Sequence, residues 1–264
     1  MRFSRWWYYL TSLPTLLLGV TGWPALIGWL IRPAPRGNVQ LTLRTGERFE
    51  ARSLMDVWVI KETCLDQGYE RAAVPIQPGW TVIDIGAGLG DFTVDAARKT
   101  PGGMVYAYEP FPGSFALLER NLALNRVDNA RAFNLAVGAA EGSLSLRTDP
   151  AEPVMHHTAY SGQDGTVVEV PAVPLDRLFA DLGIDRCDFL KIDTEGAEYD
   201  ILMHAAPSTL AKIAHICLEY HDGFTPHSHA ELARFLEGHG FSVTIQPNPA
   251  HDYLGLMHAA RRST

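Results

Sequence analysis

Hydrophobic positions along the chain recur at two spacings, which predict strands and helices in alternation. The unbroken run Thr81–Ile85 predicts a buried strand, and Leu89, Phe92 and Ala96 recur behind it at helical spacing. The alternation then continues through predicted strands at Val105–Tyr108, Ala132–Val137, Asp188–Ile192 and Ile213–Leu218, with predicted helices around Leu118, over Ala197–His204 and around Leu232. This pattern is typical of a doubly wound, mostly parallel α/β sheet.

Additional elements surround this unit. The pattern predicts a leading hairpin of Leu41–Leu43 with Arg48–Ala51, followed by a helix over Asp56–Leu65. It also predicts a strand pair, Gly142–Leu146 with Thr166–Val170, around a polar insertion at 149–165. A closing antiparallel hairpin is predicted for Phe241–Ile245 with Tyr253–Met257. An insertion of this length often shapes a substrate site. We therefore divide the chain into an apolar helical extension (1–40), a hairpin and helix lead-in (41–77) and a catalytic-sized domain (78–264).

Charge separates the extension from the rest of the chain. Residues 1–46 hold five arginines and no acid, although the whole chain has a net charge of −8, which disfavours general binding to nucleic acid. Trp6–Ile31 is uncharged and flanked by aromatic residues, but prolines and glycines interrupt it. Docking onto the domain, peripheral membrane contact and spanning all remain open. Three cysteines without a CxxC pair favour a reducing, cytoplasmic location.

A glycine-rich turn follows the first buried strand. In Asp84–Gly90 the glycines allow the backbone to pass close to a ligand, and the next helix points its amide groups at the same place. A dinucleotide is disfavoured because Asp91 would face its pyrophosphate. An adenosyl ligand carries no such penalty, and Asp84 could receive its ammonium group. Glu109, at the end of the second strand, could accept hydrogen bonds from both ribose hydroxyls, so the pattern predicts an S-adenosylmethionine site.

A second group of acids follows the strand Asp188–Ile192. Asp193 and Glu195 lie where that strand opens into a helix, at the edge where open α/β sheets bind ligands. We predict Asp193 as the base that accepts an acceptor proton, with Glu195, Glu219 or His221 orienting the acceptor and His221 as the competing base. The alternative is simple capping of a helix start. A divalent metal shared by Asp193 and Glu219 is conceivable, but the spacing does not support a metal site.

Taken together, Val82–Gly90, Tyr108-Glu109-Pro110, Lys191–Glu198 and Leu218–His221 resemble the FkbM-type family of S-adenosylmethionine-dependent methyltransferases. The resemblance implies a class I, Rossmann-like α/β fold with a seven-stranded, mostly parallel sheet. It also implies O-methylation of a hydroxyl on a sugar, glycolipid or natural product, so the expected partner is a small-molecule or glycan acceptor. The predicted cofactor-binding residues are Asp84, Gly86, Ala87, Gly88, Glu109, Pro110, Ala136 and Asp193.

Two other functions use the same sequence features. A nicotinamide-dependent oxidoreductase would share the fold, but Asp91 and the second acidic strand end disfavour it. A non-catalytic, membrane-associated adaptor would use the apolar extension as its interaction surface. Comparing the binding of S-adenosylmethionine with that of NAD distinguishes an oxidoreductase from a methyltransferase. Alanine at Gly86 and Gly88 would leave the role of an adaptor intact, whereas a methyltransferase would lose cofactor binding.

Overall fold

The computed structural model describes residues 14–23, 26–28, 38–149, 152–158, 166–248 and 251–262. A seven-stranded sheet lies at the centre of this part of the chain. Its strands are β4 (Thr81–Ile85), β5 (Met104–Tyr108), β6 (Ala130–Phe133), β11 (Cys187–Ile192), β12 (Ile213–His221), β13 (Phe241–Pro247) and β14 (Leu254–Arg261). Their spatial order is β13-β14-β12-β11-β4-β5-β6, and β14 alone in this sheet runs antiparallel to its neighbours. The predicted class I, Rossmann-like α/β fold and its closing hairpin are thus confirmed.

Helices cover both faces of the sheet. They are α1 (Leu54–Ile60), which continues as a π-helical turn (Lys61–Leu65), α2 (Gly68–Ala72), α3 (Asp91–Lys99), α4 (Pro112–Leu124), α5 (Leu175–Leu182), α6 (Glu198–Met203), α7 (Pro207–Leu210) and α8 (His229–Gly238). Consecutive residues of β4 point to opposite faces: Val82 packs in a cluster with Phe92 of α3, whereas Ile83 packs in a cluster with Leu202 of α6. This alternation explains why β4 is buried at every position after Thr81, since a strand covered on both sides has no solvent face.

A second, four-stranded sheet lies beside the first, in the order β7-β10-β8-β9. It comprises β7 (Ala136–Gly138), β8 (Gly142–Asp149), β9 (Glu152–Thr158) and β10 (Thr166–Pro174). The predicted strand pair is confirmed as β8 and β10, which run antiparallel, and part of the predicted insertion forms the strand β9. The rest of that insertion, at 150–151 and 159–165, lies outside the described residues.

The single predicted strand Ala132–Val137 is wrong. The chain forms β6 in the central sheet, leaves it at Asn134, and then forms β7, which pairs with β10 in the second sheet. The Asn134 side-chain amide donates to the carbonyl oxygens of Glu109 and Pro110, at 2.9 Å each. These bonds hold the chain at the point where it passes from one sheet to the other.

The leading hairpin is confirmed as β2 (Val39–Leu43) and β3 (Arg48–Ala51), and a two-residue strand β1 (Val20–Thr21) pairs with β2. Val20 and Leu26 are buried in one cluster with Phe49 and with Val57 of α1. Within its described residues, the apolar stretch therefore docks onto the lead-in. The helices of the described residues include none that is both long and apolar enough to cross a bilayer. The predicted aromatic flanks at Trp6–Tyr9 and Trp29 lie outside the described residues.

Candidate active site

The glycine turn lies at the carboxyl end of β4, where the strand order reverses between β4 and β11. Gly86, Gly88 and Gly90 all have positive φ, which only glycine adopts without strain. A Cβ on Gly86 would lie 1.7 Å from the carbonyl oxygen of Asp193, so this glycine permits close contact between the two strand ends. A Cβ on Gly88 would meet no atom within 4 Å, because that side of the turn is open.

Glu109, at the end of β5, is tied to this turn. Its two carboxylate oxygens accept hydrogen bonds from the backbone N–H groups of Gly88 and Phe111, each at 2.8 Å. The side chain is 5% exposed, and burial raises the pKa of Glu109 to about 7 even though these N–H groups favour the carboxylate. Each oxygen has a second lone pair available, so the carboxylate can still accept a hydrogen bond from a diol.

Asp84 is fully buried below the turn. Its carboxylate accepts a hydrogen bond from Thr93 at 2.6 Å and forms an ion pair with Lys191, whose Nζ lies 3.1 Å from Oδ1. Lys191 also donates to the carbonyl oxygen of Gly86 at 2.8 Å. Burial disfavours the ammonium form, but the negative charges of Asp84, Asp193 and Asp91 together outweigh it and raise the pKa of Lys191. This ion pair, which sequence reasoning missed, supports the turn from beneath.

One cavity brings most of the predicted site residues together. Its lining includes Gly86, Ala87, Gly88, Glu109, Pro110, Ala136, Asp193, Glu195 and Glu219. Asp84 and His221 do not line it. The lining also contains residues that sequence analysis did not single out, from the segment just before α1, from α1 and from the second sheet: Arg52, Met55, Val59, Leu144 and Leu146. The predicted contact of Asp84 with a cofactor ammonium group stays a prediction. In the structure, the Asp84 carboxylate already forms an ion pair with Lys191.

Two carboxylates lie side by side on the cavity wall. Asp193 follows β11 and Glu219 lies on β12, and the two strands are parallel neighbours. Asp193 accepts a hydrogen bond from the Tyr69 hydroxyl at 2.8 Å. Burial and the charge of Asp193 raise the pKa of Glu219 above its ordinary value. Two neighbouring acids of this kind hold one proton more readily than two isolated acids would.

A chain of ion pairs runs behind this wall. His221 Nδ1 lies 3.0 Å from Glu198 Oε1, and His221 Nε2 lies 3.3 Å from Glu195 Oε2. Burial disfavours the charged ring, but the hydrogen bond and charge of Glu198, followed by the charges of Glu195 and Glu219, raise the pKa of His221 to about 10. At neutral pH the ring is therefore an imidazolium held between two carboxylates. Glu198, expected only near a helix start, is the residue that fixes it.

Glu195 itself has a φ of 54°, a left-handed conformation that is unusual for a residue with a side chain. Glu198 stabilises this turn, because its Oε2 accepts hydrogen bonds from the Gly196 N–H at 2.9 Å and from the Thr194 hydroxyl at 3.1 Å. The turn directs the Glu195 side chain to the cavity that it lines. Backbone strain of this kind is often found at functional sites.

Asp193, Glu219 and His221 could each offer one ligand atom, and these atoms lie within 4.8 Å of one another. The donor set fits a metal poorly, however, because both ring nitrogens of His221 already face carboxylate oxygens, of Glu198 and of Glu195. We therefore derive no step through a metal.

The switch-point cavity, the glycine turn and the acid at the end of the second parallel strand define a class I methyltransferase site. The family model described as the methyltransferase FkbM domain matches residues 84–243, which is more than half of the chain. The chain therefore belongs to the FkbM methyltransferase family, and its cofactor is S-adenosylmethionine.

The chain is similar to several proteins of known name. The chain is 28% identical to 31-O-demethyl-FK506 methyltransferase FkbM of Streptomyces tacrolimicus, over 78% of this chain and 90% of that protein. It is also 28% identical to methyltransferase sdnD of Sordaria araneosa, over 71% and 82%. The match to AMB antimetabolite synthetase AmbE of Pseudomonas aeruginosa, at 26% identity, covers 79% of this chain but 12% of AmbE. A solved FkbM methyltransferase from Methylobacillus flagellatus is 13% identical, with a TM-score of 0.47 over 77% of this chain and 53% of that one.

Proposed function

We propose that this methyltransferase transfers a methyl group to a hydroxyl oxygen of a small-molecule or glycan acceptor, such as a sugar, glycolipid or natural product. The observation that carries this proposal is the pair of adjacent carboxylates, Asp193 and Glu219, on the cavity wall next to the glycine turn. A hydroxyl must lose its proton as the new bond to carbon forms, and two adjacent carboxylates, of which Glu219 has a raised pKa, can accept that proton near neutral pH.

Residues of the turn bind the donor in this proposal. The open side of Gly88 leaves room for the adenosyl group, and the Glu109 carboxylate accepts hydrogen bonds from its ribose hydroxyls. Pro110 and Ala136 line the same cavity and supply apolar contacts. When bound, S-adenosylmethionine supplies an electrophilic methyl group on a positively charged sulfur. The acidic wall formed by Asp193 and Glu219 suits that charge.

The proton goes to the Asp193–Glu219 pair rather than to His221. The Tyr69 hydroxyl holds one Asp193 oxygen, Oδ2, and leaves Oδ1 to face the acceptor. His221 is a positioning residue in this scheme, because its ring is 2% exposed and already protonated. It fixes the Glu195 carboxylate, which orients the acceptor hydroxyl. Correct alignment of acceptor and donor contributes much of the rate in such transfers, since effective molarities reach about 10⁵ M or more.

The nicotinamide alternative is disfavoured by the start of α3. Asp91 is 5% exposed and lines the cavity at the place where a pyrophosphate would lie, and burial raises the pKa of Asp91 to about 6. It is therefore an anion at physiological pH. A non-catalytic adaptor would have no use for the supported glycine turn and the ordered acidic wall. The proposal includes a cytoplasmic location. It also includes no nucleic-acid partner, because the net charge of −8 disfavours binding to nucleic acid.

Calorimetry with S-adenosylhomocysteine and with NAD tests the cofactor assignment. We expect heat for the first ligand alone, and no heat for either would contradict the scheme. The hydroxyl proposal is then tested by incubating the protein and labelled S-adenosylmethionine with panels of hydroxyl, amine and thiol acceptors. With an accepted hydroxyl compound, Asp193→Asn, Glu219→Gln and the double variant should lower kcat by about 10²- to 10⁴-fold. Transfer to amines alone, or near-normal turnover in the double variant, would refute it.

A further inference from the structure

The segment formed by residues 14–23 and 26–28 packs some apolar side chains against the lead-in and leaves others exposed. Val20 and Leu26 are 1% and 3% exposed, whereas Leu17, Leu18 and Ile27 are 53%, 71% and 48% exposed. The buried residues contact the core formed with α1, so the segment is docked rather than loosely attached. Its outward apolar side chains are then available to a partner, since monomeric proteins rarely expose such groups together.

The segment packs against α1, whose first turn also carries exposed apolar side chains. Leu54 and Met55, at the first turn of this helix, are 55% and 44% exposed. Met55 also lines the cavity, so this apolar layer borders the cavity mouth. Few other large apolar side chains of the described residues are comparably exposed. The exposed apolar surface is therefore concentrated on one part of the molecule.

The charge of the chain around this layer indicates the chemistry of the partner. All five charged residues among positions 1–46 are arginines, and all 30 acids of the chain lie beyond them. Arg44, the member of this set within the described residues, is exposed, and its backbone N–H donates to the carbonyl oxygen of Gly19 in the docked segment at 2.8 Å. A stretch of sequence that carries arginines, exposed leucines and no acid matches a surface that is anionic outside and apolar beneath, which is a lipid bilayer bearing acidic headgroups.

We infer that residues 14–23 and 26–28 and the first turn of α1 form a membrane-docking face that binds the surface of an anionic bilayer. The exposed leucines insert to the level of the acyl boundary, and the positive charge of the acid-free stretch 1–46 attracts the headgroups. The acidic remainder of the chain would be repelled by the same surface, which orients the molecule with this face toward the lipid. Binding is peripheral, and the cavity mouth at Met55 then lies close to the bilayer. This inference is independent of the chemistry proposed for the acceptor.

Vesicle co-sedimentation of the full chain tests the inference. Vesicles of phosphatidylcholine alone are compared with vesicles that also contain phosphatidylglycerol. We expect binding to the anionic vesicles, with a loss on adding salt because the arginine contacts are screened. The double variant Leu17→Asp/Leu18→Asp should reduce the partition coefficient by at least about tenfold. Val167→Asp, at a residue 47% exposed on the second sheet, is the matched control and should bind as the unchanged protein does.

Two further measurements on the same proteins distinguish the possible outcomes. Light scattering gives the oligomeric state, and calorimetry with S-adenosylhomocysteine gives the cofactor affinity. Unchanged cofactor affinity in the double variant shows that its fold is intact. Equal binding to both vesicle types, equal loss in the control variant, or no binding at all would overturn the inference. A wild-type dimer that the double variant converts to a monomer, without vesicle binding by either, would assign this face to a contact between copies of the chain instead.

Discussion

Glu109→Gln tests the donor site directly. In the unchanged protein both carboxylate oxygens accept backbone hydrogen bonds at 2.8 Å, from Gly88 and Phe111. A glutamine can accept only one of them, and its NH₂ group opposes the other N–H. Hydrogen bonds to charged groups contribute about 1.5–3 kcal/mol each. We expect S-adenosylhomocysteine binding to weaken by about 2–3 kcal/mol, a loss of roughly 30- to 150-fold in affinity.

The pH dependence of binding gives a second readout of the same side chain. Burial raises the pKa of Glu109 to about 7, so its ionised fraction rises about tenfold between pH 6 and pH 8. Cofactor affinity should rise by up to about tenfold over this range, because the carboxylate form accepts both ribose hydroxyls. The contribution of this group to folding stability runs the other way. The folded chain binds the proton more tightly than the unfolded chain, so this contribution falls as pH rises from about 4 to about 7.

Isothermal titration calorimetry at pH 6, 7 and 8 measures both effects. Glu119→Gln, on the exposed side of α4, is the matched control and should leave affinity and its pH profile unchanged. Thermal unfolding of each variant shows whether the fold is retained. If Glu109→Gln binds within about threefold of the unchanged protein at pH 8 and keeps the same pH slope, Glu109 does not hold the ribose and the argument fails.

Three further variants test the frame of the site. Gly86→Ala adds a Cβ that would clash with the backbone of the neighbouring strand end, at a residue of positive φ. It should lower the unfolding free energy by about 3 kcal/mol in urea titration. A loss below about 1 kcal/mol would show that the turn can relax. Lys191→Met leaves the Asp84 carboxylate buried without its cation and should cost about 3–5 kcal/mol in the same experiment, and near-wild-type stability would contradict the ion pair. Glu198→Gln should move the His221 pKa from about 10 toward the ordinary ~6.5, as followed by NMR of the ring protons. In the unchanged protein the charged ring stabilises the fold fully below about pH 6.5, and this contribution is lost as pH rises through about 10. The stability of the variant should therefore be less sensitive to alkaline pH. An unshifted pKa of the His221 ring would exclude Glu198 as its partner.

Local pattern was sufficient for most of the central sheet because strands buried on both faces are nearly continuous apolar runs. The bounds predicted for β4, Thr81–Ile85, agree with the structure, and the closing hairpin was located from its turn residues. The change of sheet at Asn134 could not be predicted in this way. The apolar run continues through it, and the side-chain bonds that redirect the chain go to residues more than twenty positions earlier.

For the site, sequence reasoning located residues at strand ends but not the contacts between them. Gly86, Glu109 and Asp193 meet in one cavity because parallel strands end at one edge of the sheet. The role of Glu198 depends on a contact with His221, 23 positions later, that helix-start statistics do not indicate. A lysine within the apolar strand Cys187–Ile192 was the available signal for a buried ion pair, since a buried cation needs a partner on an adjacent strand.

The lining of the cavity has two kinds of residue. Gly86 and Asp193 share a backbone contact with no space for an added methyl group, so neither strand end can change without moving the other. Met55, Val59 and Leu144, in contrast, come from a helix and a separate sheet that take no part in this contact. New acceptor preferences could therefore evolve by exchanging side chains there, while the apparatus that handles the methyl donor stays the same.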